Sequence, residues 1–142
     1  MTDDAALEHV VAAMAAETGT IHWLAADGHL HLAAVVGSFP PPVMEMIRVI
    51  PLGKGLAGLA AERRKCVTVC NLQSDESGQA KPGARATGME GAITAPCIAS
   101  DGTLRGVIGV ANAAARTFTA EEQDALLAHG RRLADARRAA VS

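Results

Sequence analysis

The sequence predicts an α+β fold in which helices flank a mostly antiparallel β-sheet. Two pairs of alternating apolar and polar runs are each joined through an Asp-Gly dipeptide, at Asp27-Gly28 and Asp101-Gly102, which is a strong hairpin signal. Helical periodicity precedes the first hairpin and follows the second. Because hairpins pair their strands antiparallel, a parallel sheet is not expected. The 142 residues contain no repeat, and we expect one domain over residues 1–142.

The N-terminal segment 3–17 is predicted to be a helix. Leu7, Val10, Val11 and Met14 follow the i, i+3, i+4, i+7 spacing of one stripe. Thr2 or Asp3 is expected to cap its start, and Gly19 its end.

The run TIHWLAADGHLHLAAVV is predicted to form a hairpin with a two-residue turn at Asp27-Gly28. This register sets Trp23 across from Leu32 and His22 across from Ala33. One face then carries Ile21, Trp23, Leu30 and Leu32, and the other carries His22, Leu24, His29, His31 and Val35.

Between the two hairpins the sequence predicts shorter elements. Pro40-Pro41-Pro42 opens a helix ending near Arg48, residues 55–64 form another helix, and CVTVCNL forms a strand. Residues 72–88 are polar and aperiodic, which predicts a long loop of the kind that often covers a site.

The C-terminal part is predicted to be a hairpin and a helix. AITAPCIAS and TLRGVIGVANA are its strands. Thr119 and Glu122 match a capping box, and the helix that follows is expected to reach about residue 139. Arginines crowd its end, where cations suit the helix dipole.

The stretch GKGLAG, from Gly53 to Gly58, matches the G-x-G-x-x-G pattern of dinucleotide-binding loops. Such a loop needs a preceding parallel strand, but Pro51 removes a backbone donor where that strand would run. We therefore interpret Gly53 and Gly55 as a sharp turn into a helix, and Gly58 as a point of close packing.

Composition excludes several classes of partner. The formal net charge is −2 and aromatic residues make up 2% of the chain, so neither nucleic acid nor an anionic membrane is an expected partner. The acidic N-terminus lacks the basic region of a secretory signal, and three cysteines without metal-type spacing are expected to be free thiols. These features favour a cytoplasmic protein, and abundant Ala and Arg are typical of bacteria with GC-rich genomes.

Three segments together resemble the GAF domain family: IPLGKGLAGLAAERRKCVTVCNL, ITAPCIASDGTLRGVIGVAN and FTAEEQDALLAHGRRLADA. In that family a helix follows an L-G-x-G-L-A-G segment, a Pro-containing strand leads into a G-x-x-x-G-V arm, and the last helix opens with F-T-x-E-E. The resemblance covers residues 3–139. It implies a GAF/PAS-like antiparallel sheet with the terminal helices packed on one face, where relatives often dimerise. The residues predicted to serve both core and dimer seam are Leu7, Val10, Val11, Met14, Leu126, Leu133 and Val141.

The resemblance does not identify a ligand or cofactor. The Asn-Lys-Phe-Asp-Glu signature of cyclic-nucleotide binders has no counterpart in this chain, and no cysteine is followed by the histidine common in bilin binders. The free methionine-R-sulfoxide reductases carry a cysteine where this chain has Ala57. Cys66 and Cys70 are too far apart on one strand for a disulfide, with roughly 13 Å between their Cα atoms. Cys97 facing Cys70 across neighbouring strands leaves a redox role open.

The predicted hairpin face with His22, His29 and His31 raises the alternatives of a metal site or a single haem ligand. No carboxylate or cysteine accompanies these histidines, so we favour a partly solvated sheet edge and expect no metal.

The leading hypothesis is therefore a non-catalytic, small-molecule-sensing or regulatory GAF-type module. Its pocket is expected between the sheet, the helix from Gly55 to Arg64 and the loop from Asn71 to Gly88. The alternatives are a ligand-free interaction module that docks to a signalling protein, standing alone or within a longer sensor, and a thiol-dependent methionine sulfoxide reductase. The candidate ligand-binding residues are Leu56, Ala57, Leu59, Cys70, Asn71, Thr94 and Cys97.

Overall fold

One antiparallel sheet organises the chain, as the sequence predicts. The computed structural model describes residues 2–73 and 87–141, with side chains described up to Arg137. Most of the predicted loop 72–88 lies outside the described residues. The described elements are α1 (Asp3–Ala13), β1 (Thr18–Leu24), β2 (His29–Val36), α2 (Pro41–Ile47), β3 (Val49–Pro51), α3 (Gly55–Arg63), β4 (Val67–Val69), β5 (Gly91–Ile98), β6 (Leu104–Asn112) and α4 (Ala120–Val141). The strand order is β3-β2-β1-β6-β5-β4, with every neighbouring pair antiparallel.

The two faces of the sheet have separate hydrophobic clusters. Helices α1 and α4 cover one face, where Leu7, Ile21, Ile108 and Leu126 are fully buried. Helix α3 covers the other face, and a smaller cluster there includes Leu30, Ala60, Ala61, Val67 and Val107. Among the described residues no helix is both long and apolar enough to cross a bilayer.

The first hairpin has a longer loop than the sequence predicts. The amide of Ala25 donates to the carbonyl of His29 (3.0 Å), which leaves three loop residues, with Gly28 at a φ of 80°. The second hairpin repeats this arrangement, since Ala99 donates to Thr103 at 2.9 Å. Asp-Gly is common to two-residue turns and to three-residue loops that end in a left-handed glycine, so the dipeptide does not distinguish them.

The predicted register of this hairpin is therefore wrong. His22 pairs with Leu32 and Trp23 with His31, and the register shifts between Ile21 and His22. Directly paired residues share a face of the sheet. His31 consequently shares the face of Trp23, on the side of α1 and α4, whereas His22 faces the opposite side.

The predicted start signals of both terminal helices are confirmed. The amide of Ala5 donates to Oγ1 of Thr2 (3.1 Å) at the start of α1. At α4 the capping box is reciprocal: Thr119 N donates to Glu122 Oε1 (2.9 Å), and Glu122 N donates to Thr119 Oγ1 (3.1 Å). The predicted end of α1 is wrong, because the helix ends at Ala13 and Gly19 belongs to β1.

Strand β3 is the element that the sequence does not predict. It pairs with β2 at the edge of the sheet, where Pro51 lies opposite His29. Proline has no amide hydrogen to donate. It fits on an edge strand because one side of that strand has no neighbouring strand and needs no amide donor.

The glycine-rich segment makes a closed turn. The amide of Gly53 donates to the carbonyl of Gly58 (2.9 Å), and Gly53 and Gly55 have φ values of 81° and 65°. The Gly53 amide therefore already donates a hydrogen bond within the chain. The turn leads into α3, which packs on an antiparallel sheet. These observations support the turn interpretation over a pyrophosphate loop.

We predict that Gly58→Ala destabilises the protein by about 1–3 kcal/mol, as overpacking does. A Cβ atom there would lie 2.5 Å from the carbonyl oxygen of Pro51 and 3.0 Å from the amide nitrogen of Gly53. Urea unfolding measures the change. Ala128→Gly in α4, where Ala128 is exposed, measures helix propensity alone. A stabilised Gly58→Ala variant, the usual result inside a helix, would contradict the close contact.

Candidate functional site

A cavity of about 170 Å³ lies against the sheet face opposite α1 and α4. Strands β1, β5 and β6 form its floor. Its described walls come from α2, the start of α3, and the segments around Leu72 and Met89. The predicted pocket between the sheet and α3 therefore has a counterpart, with α2 as an additional wall.

The floor of the cavity is low because its side chains are short. Gly109 of β6 pairs with Thr20 on one side and Thr94 on the other. A Cβ atom on Gly109 would lie 3.2 Å from Oγ1 of Thr94 and 3.7 Å from Oγ1 of Thr20. Two residues along, Ala111 pairs with Thr18 and Ala92 in the same way. Gly109 therefore lies closely between two threonines, and the small residues of the central strand add little side-chain bulk to the floor.

The walls are mostly apolar. Their large side chains belong to Phe39, Val43, Met46, Ile47, Ile50, Leu56, Leu72 and Met89. An apolar wall with a few polar groups is the usual composition of a small-molecule site, because apolar area supplies affinity and the polar groups fix orientation.

His22 is the most deeply buried polar side chain of the cavity, with 1% of its surface exposed. Its Nε2 atom lies 2.7 Å from the carbonyl oxygen of Ile47 at the end of α2. A carbonyl only accepts, so Nε2 carries the proton and donates. Its Nδ1 atom is buried without a hydrogen-bond partner among the described residues. The ring therefore joins β1 to α2 and retains one unused acceptor.

Burial lowers the pKa of His22 below its ordinary value, because the imidazolium form loses its hydration. The bond to Ile47 partly opposes this effect, and the nearby His31 adds to it. The neutral ring therefore predominates near pH 7, with a lone pair on Nδ1.

Helix α3 begins at the edge of the cavity without a side-chain cap, since Lys54 at its N-cap makes no capping bond. Gly55, Leu56 and Ala57, in its first turn, all line the cavity. First-turn amides have no partner within their own helix. These amide donors therefore belong to residues that line the cavity.

Of the sequence-predicted site residues, Leu56, Ala57 and Thr94 line the cavity. The other four lie outside its described lining. Leu59 packs with the α3 cluster, Cys70 is exposed, and Oδ1 of Asn71 accepts from the amide of Gln73 at 2.9 Å. Cys97 is fully buried in the cluster beneath α1 and α4. The binding roles of all seven stay predictions.

Sequence reasoning did not assign Thr20, His22 or Gly109 to the ligand pocket, and considered His22 only as a metal or haem ligand. Strand alternation offers a signal, because Thr18, Thr20 and His22 occupy every second position of β1. The positions that alternate with them include the apolar Ile21 and Trp23. Gly109 carries no such signal, because its role depends on threonines of two other strands.

The cysteines do not adopt the predicted pairing. Cys97 lies opposite Gly106 of β6, whereas β4 ends at Val69, which lies opposite Ala92. Cys97 therefore does not face Cys70, because the strand register separates them along β5. Burial raises the pKa of the Cys66 thiol to about 11 and that of Cys97 further, and both shifts disfavour the reactive thiolate.

The predicted histidine face is also wrong, because His22 and His31 lie on opposite faces of the sheet. His31 instead bonds to Oδ2 of Asp27 at 2.8 Å on the surface. Within residues 2–73 and 87–141, no three His, Cys, Asp or Glu side chains are arranged to hold a metal ion.

The architecture is thus an antiparallel sheet with a helix-walled cavity on one face and the two terminal helices on the other. The sequence profile of the GAF domain family matches residues 2–136. The chain belongs to the GAF domain family.

Solved structures share this fold. The GAF domain of the Acinetobacter phosphoenolpyruvate-protein phosphotransferase is 23% identical, with a TM-score of 0.75 over 98% of this chain and 82% of that one. The second GAF domain of DevS from Mycobacterium smegmatis is 22% identical, with a TM-score of 0.71 over 96% and 91% of the two chains.

An enzyme has the same fold. The type II free methionine-R-sulfoxide reductase from Thermoplasma acidophilum is 21% identical, with a TM-score of 0.72 over 94% of this chain and 86% of that one. None of the curated proteins matches this sequence. At these identities the likeness extends to the fold alone.

We predict that His22 makes stability depend on pH. Its folded pKa lies below the unfolded value of about 6.5, so the unfolded chain binds the proton more readily. The stability linked to neutral His22 is complete above about pH 6.5 and falls as the pH drops below it. Urea unfolding at about pH 7.5 and pH 5 should give a larger loss for the wild type than for His22→Gln. Equal losses would contradict a buried neutral imidazole.

Proposed function

We propose that this GAF domain binds a small molecule in the cavity and acts as a non-catalytic sensing or regulatory module. The supporting observation is the cavity itself, in which apolar walls enclose a floor of threonine hydroxyls and one buried histidine. Such a combination of apolar area and few polar groups is typical of ligand sites.

The position of His22 suggests how binding is transmitted. His22 and Trp23 are neighbours on β1 with side chains on opposite faces. Nε1 of Trp23 donates to Oδ2 of Asp3 in α1 (2.9 Å), and the guanidinium of Arg137 in α4 lies 4.7 Å from the Trp23 ring centroid. A ligand that shifts β1 would therefore change contacts of both terminal helices.

Those helices support a second part of the proposal, a homodimer formed through α1 and α4. Leu127 and Leu133 are only partly buried on the α4 side of the core, so a partner helix would cover more of their surface. Light scattering of the purified chain tests this assembly. A partner signalling protein would receive the output. We also propose that the protein is cytoplasmic, because its three thiols are free. A bacterial origin is proposed from the abundance of Ala and Arg in the sequence.

We predict that Gly109→Val abolishes ligand binding, because its side chain would fill the floor between Thr20 and Thr94. Ligand-observed NMR with a panel of small fragments detects binding, and circular dichroism verifies the fold. The matched control is Ala113→Val, an exposed site outside the cavity, which should bind as the wild type does. A wild type that binds no fragment, or a Gly109→Val variant that binds them all, would overturn the proposal.

We predict no reduction of free methionine sulfoxide by the chain. That chemistry needs a thiolate beside the substrate, and no cysteine belongs to the described lining of the cavity. The assay uses reduced protein with substrate and measures methionine released. Activity that disappears in Cys70→Ser or Cys97→Ser would instead assign the chain to the thiol enzymes.

A further inference from the structure

We infer that two copies of this chain pair through α4 in antiparallel orientation, with Glu121 of each copy against Arg132 of the other. This inference rests on the homodimer of the proposed function, and it adds the orientation of the two copies and the residues that set it.

The outward face of α4 carries a stripe of one acidic, two small and one basic side chain, in that order. These residues are Glu121, Ala125, Ala128 and Arg132, at the i, i+4, i+7, i+11 spacing of one helix face, and all four are exposed. Leu126, on the opposite side of the helix, is fully buried in the core. The stripe is therefore the side of α4 that a second molecule can reach.

The two charges of this stripe do not form an ion pair within α4. Helical ion pairs join residues three or four apart, whereas Glu121 and Arg132 are eleven residues apart, which is about 16 Å along the axis. Within the part of the chain that the structure describes, Glu121 makes no hydrogen bond or ion pair, and Arg132 donates one hydrogen bond, to Nδ1 of His129 (2.6 Å). A guanidinium has further donors, so Arg132 can also bind a carboxylate.

The helix dipole accounts for only one of these charges. Glu121 is in the first turn of α4, where an acidic side chain interacts favourably with the dipole. Arg132 lies about two and a half turns before Val141, where α4 ends, and the effect of the dipole is confined to the last turn. The dipole therefore does not explain Arg132, whereas an acidic residue on a second copy of α4 would be its partner.

The stripe is complementary to itself when the second copy runs in the opposite direction. In a two-fold antiparallel pair centred between Ala125 and Ala128, Glu121 faces Arg132 of the other copy at both ends, and Ala125 faces Ala128. Alanine side chains at the crossing allow the helix axes to approach closely. A parallel pair in register would instead bring Glu121 against Glu121 and Arg132 against Arg132, and like charges repel.

This orientation affects how a signal leaves the dimer. The two α4 helices end on opposite sides of an antiparallel pair, so each copy presents its α4 end to a separate partner protein. A parallel pair would place both ends together.

Charge variants distinguish the two orientations. Glu121→Arg and Arg132→Glu each place like charges at both ends of the antiparallel pair. We expect each to raise the dimer dissociation constant at least about tenfold, measured by sedimentation equilibrium. The double variant Glu121→Arg/Arg132→Glu restores opposite charges at both ends and should dimerise as the wild type does. Single variants that dimerise normally, or a double variant that remains as weak as the singles, overturn the inference.

The matched control is Glu45→Arg. It makes the same change of charge at an exposed residue of α2, on the other face of the sheet, and should leave the dissociation constant unchanged. A comparable loss in Glu45→Arg would assign the effect to net charge and overturn the inference.

Cross-linking tests the contact itself, in the variant Arg132→Lys, which keeps the positive charge. A carbodiimide joins a carboxylate directly to an amine, so the covalent dimer should be linked between Glu121 of one copy and the introduced amine of the other, as located by peptide mass spectrometry. The two positions are about 16 Å apart within one helix, so this link does not form inside one chain. A covalent dimer linked only at other positions overturns the inference.

The inference and the homodimer fail in different ways. If the wild type dimerises but the double variant does not recover, the homodimer stands and its antiparallel orientation is wrong. If light scattering shows the wild type to be a monomer, both are wrong. The binding of a small molecule is tested separately by the fragment screen and does not depend on either result.

Discussion

The cavity and its connection to the terminal helices both depend on how strand β1 alternates its side chains between the two faces of the sheet. The register shift between Ile21 and His22 absorbs one extra residue of β2. With that shift, His22 pairs with Leu32 on the cavity side, and Trp23 pairs with His31 on the side of α1 and α4. A one-residue change of register would exchange these surroundings, because side chains alternate with a period of two.

The cavity also has an energetic cost to the folded chain. Among the described residues, the Nδ1 atom of His22 is buried without a partner, and Gly109 places no side chain on the cavity floor between Thr20 and Thr94. Empty volume and unpaired buried polar atoms both destabilise proteins. The cluster under α1 and α4 contains most of the buried apolar side chains. The cluster under α3 is smaller, and the cavity lies on the same face of the sheet.

Much of the fold can be predicted from local patterns in the sequence. The capping box at Thr119 and Glu122, the Thr2 cap and both hairpins need only residues close together in the chain, and all are observed. The errors arise where two local solutions share a sequence. Asp27-Gly28 fits both a two-residue turn and a three-residue loop. The two-residue turn gives a different strand register, which wrongly places His22 and His31 on the same face of the sheet. Strand β3 was missed because a proline is acceptable on an edge strand, and edge position depends on the rest of the sheet.

The amino-acid sequence alone was sufficient for the α+β class, the helix starts, the turn at Gly53 and the family resemblance, because these depend on short-range periodicity and backbone preferences. It located Leu56, Ala57 and Thr94 near a pocket, but it did not identify the pocket's polar groups. The site around Thr20, Gly109 and Thr94 comes from three different strands, and the bond of His22 to Ile47 spans 25 residues. Such contacts depend on strand order and register, which many residues distant in the sequence establish together. The site is therefore defined by the tertiary structure and not by any local pattern in the sequence.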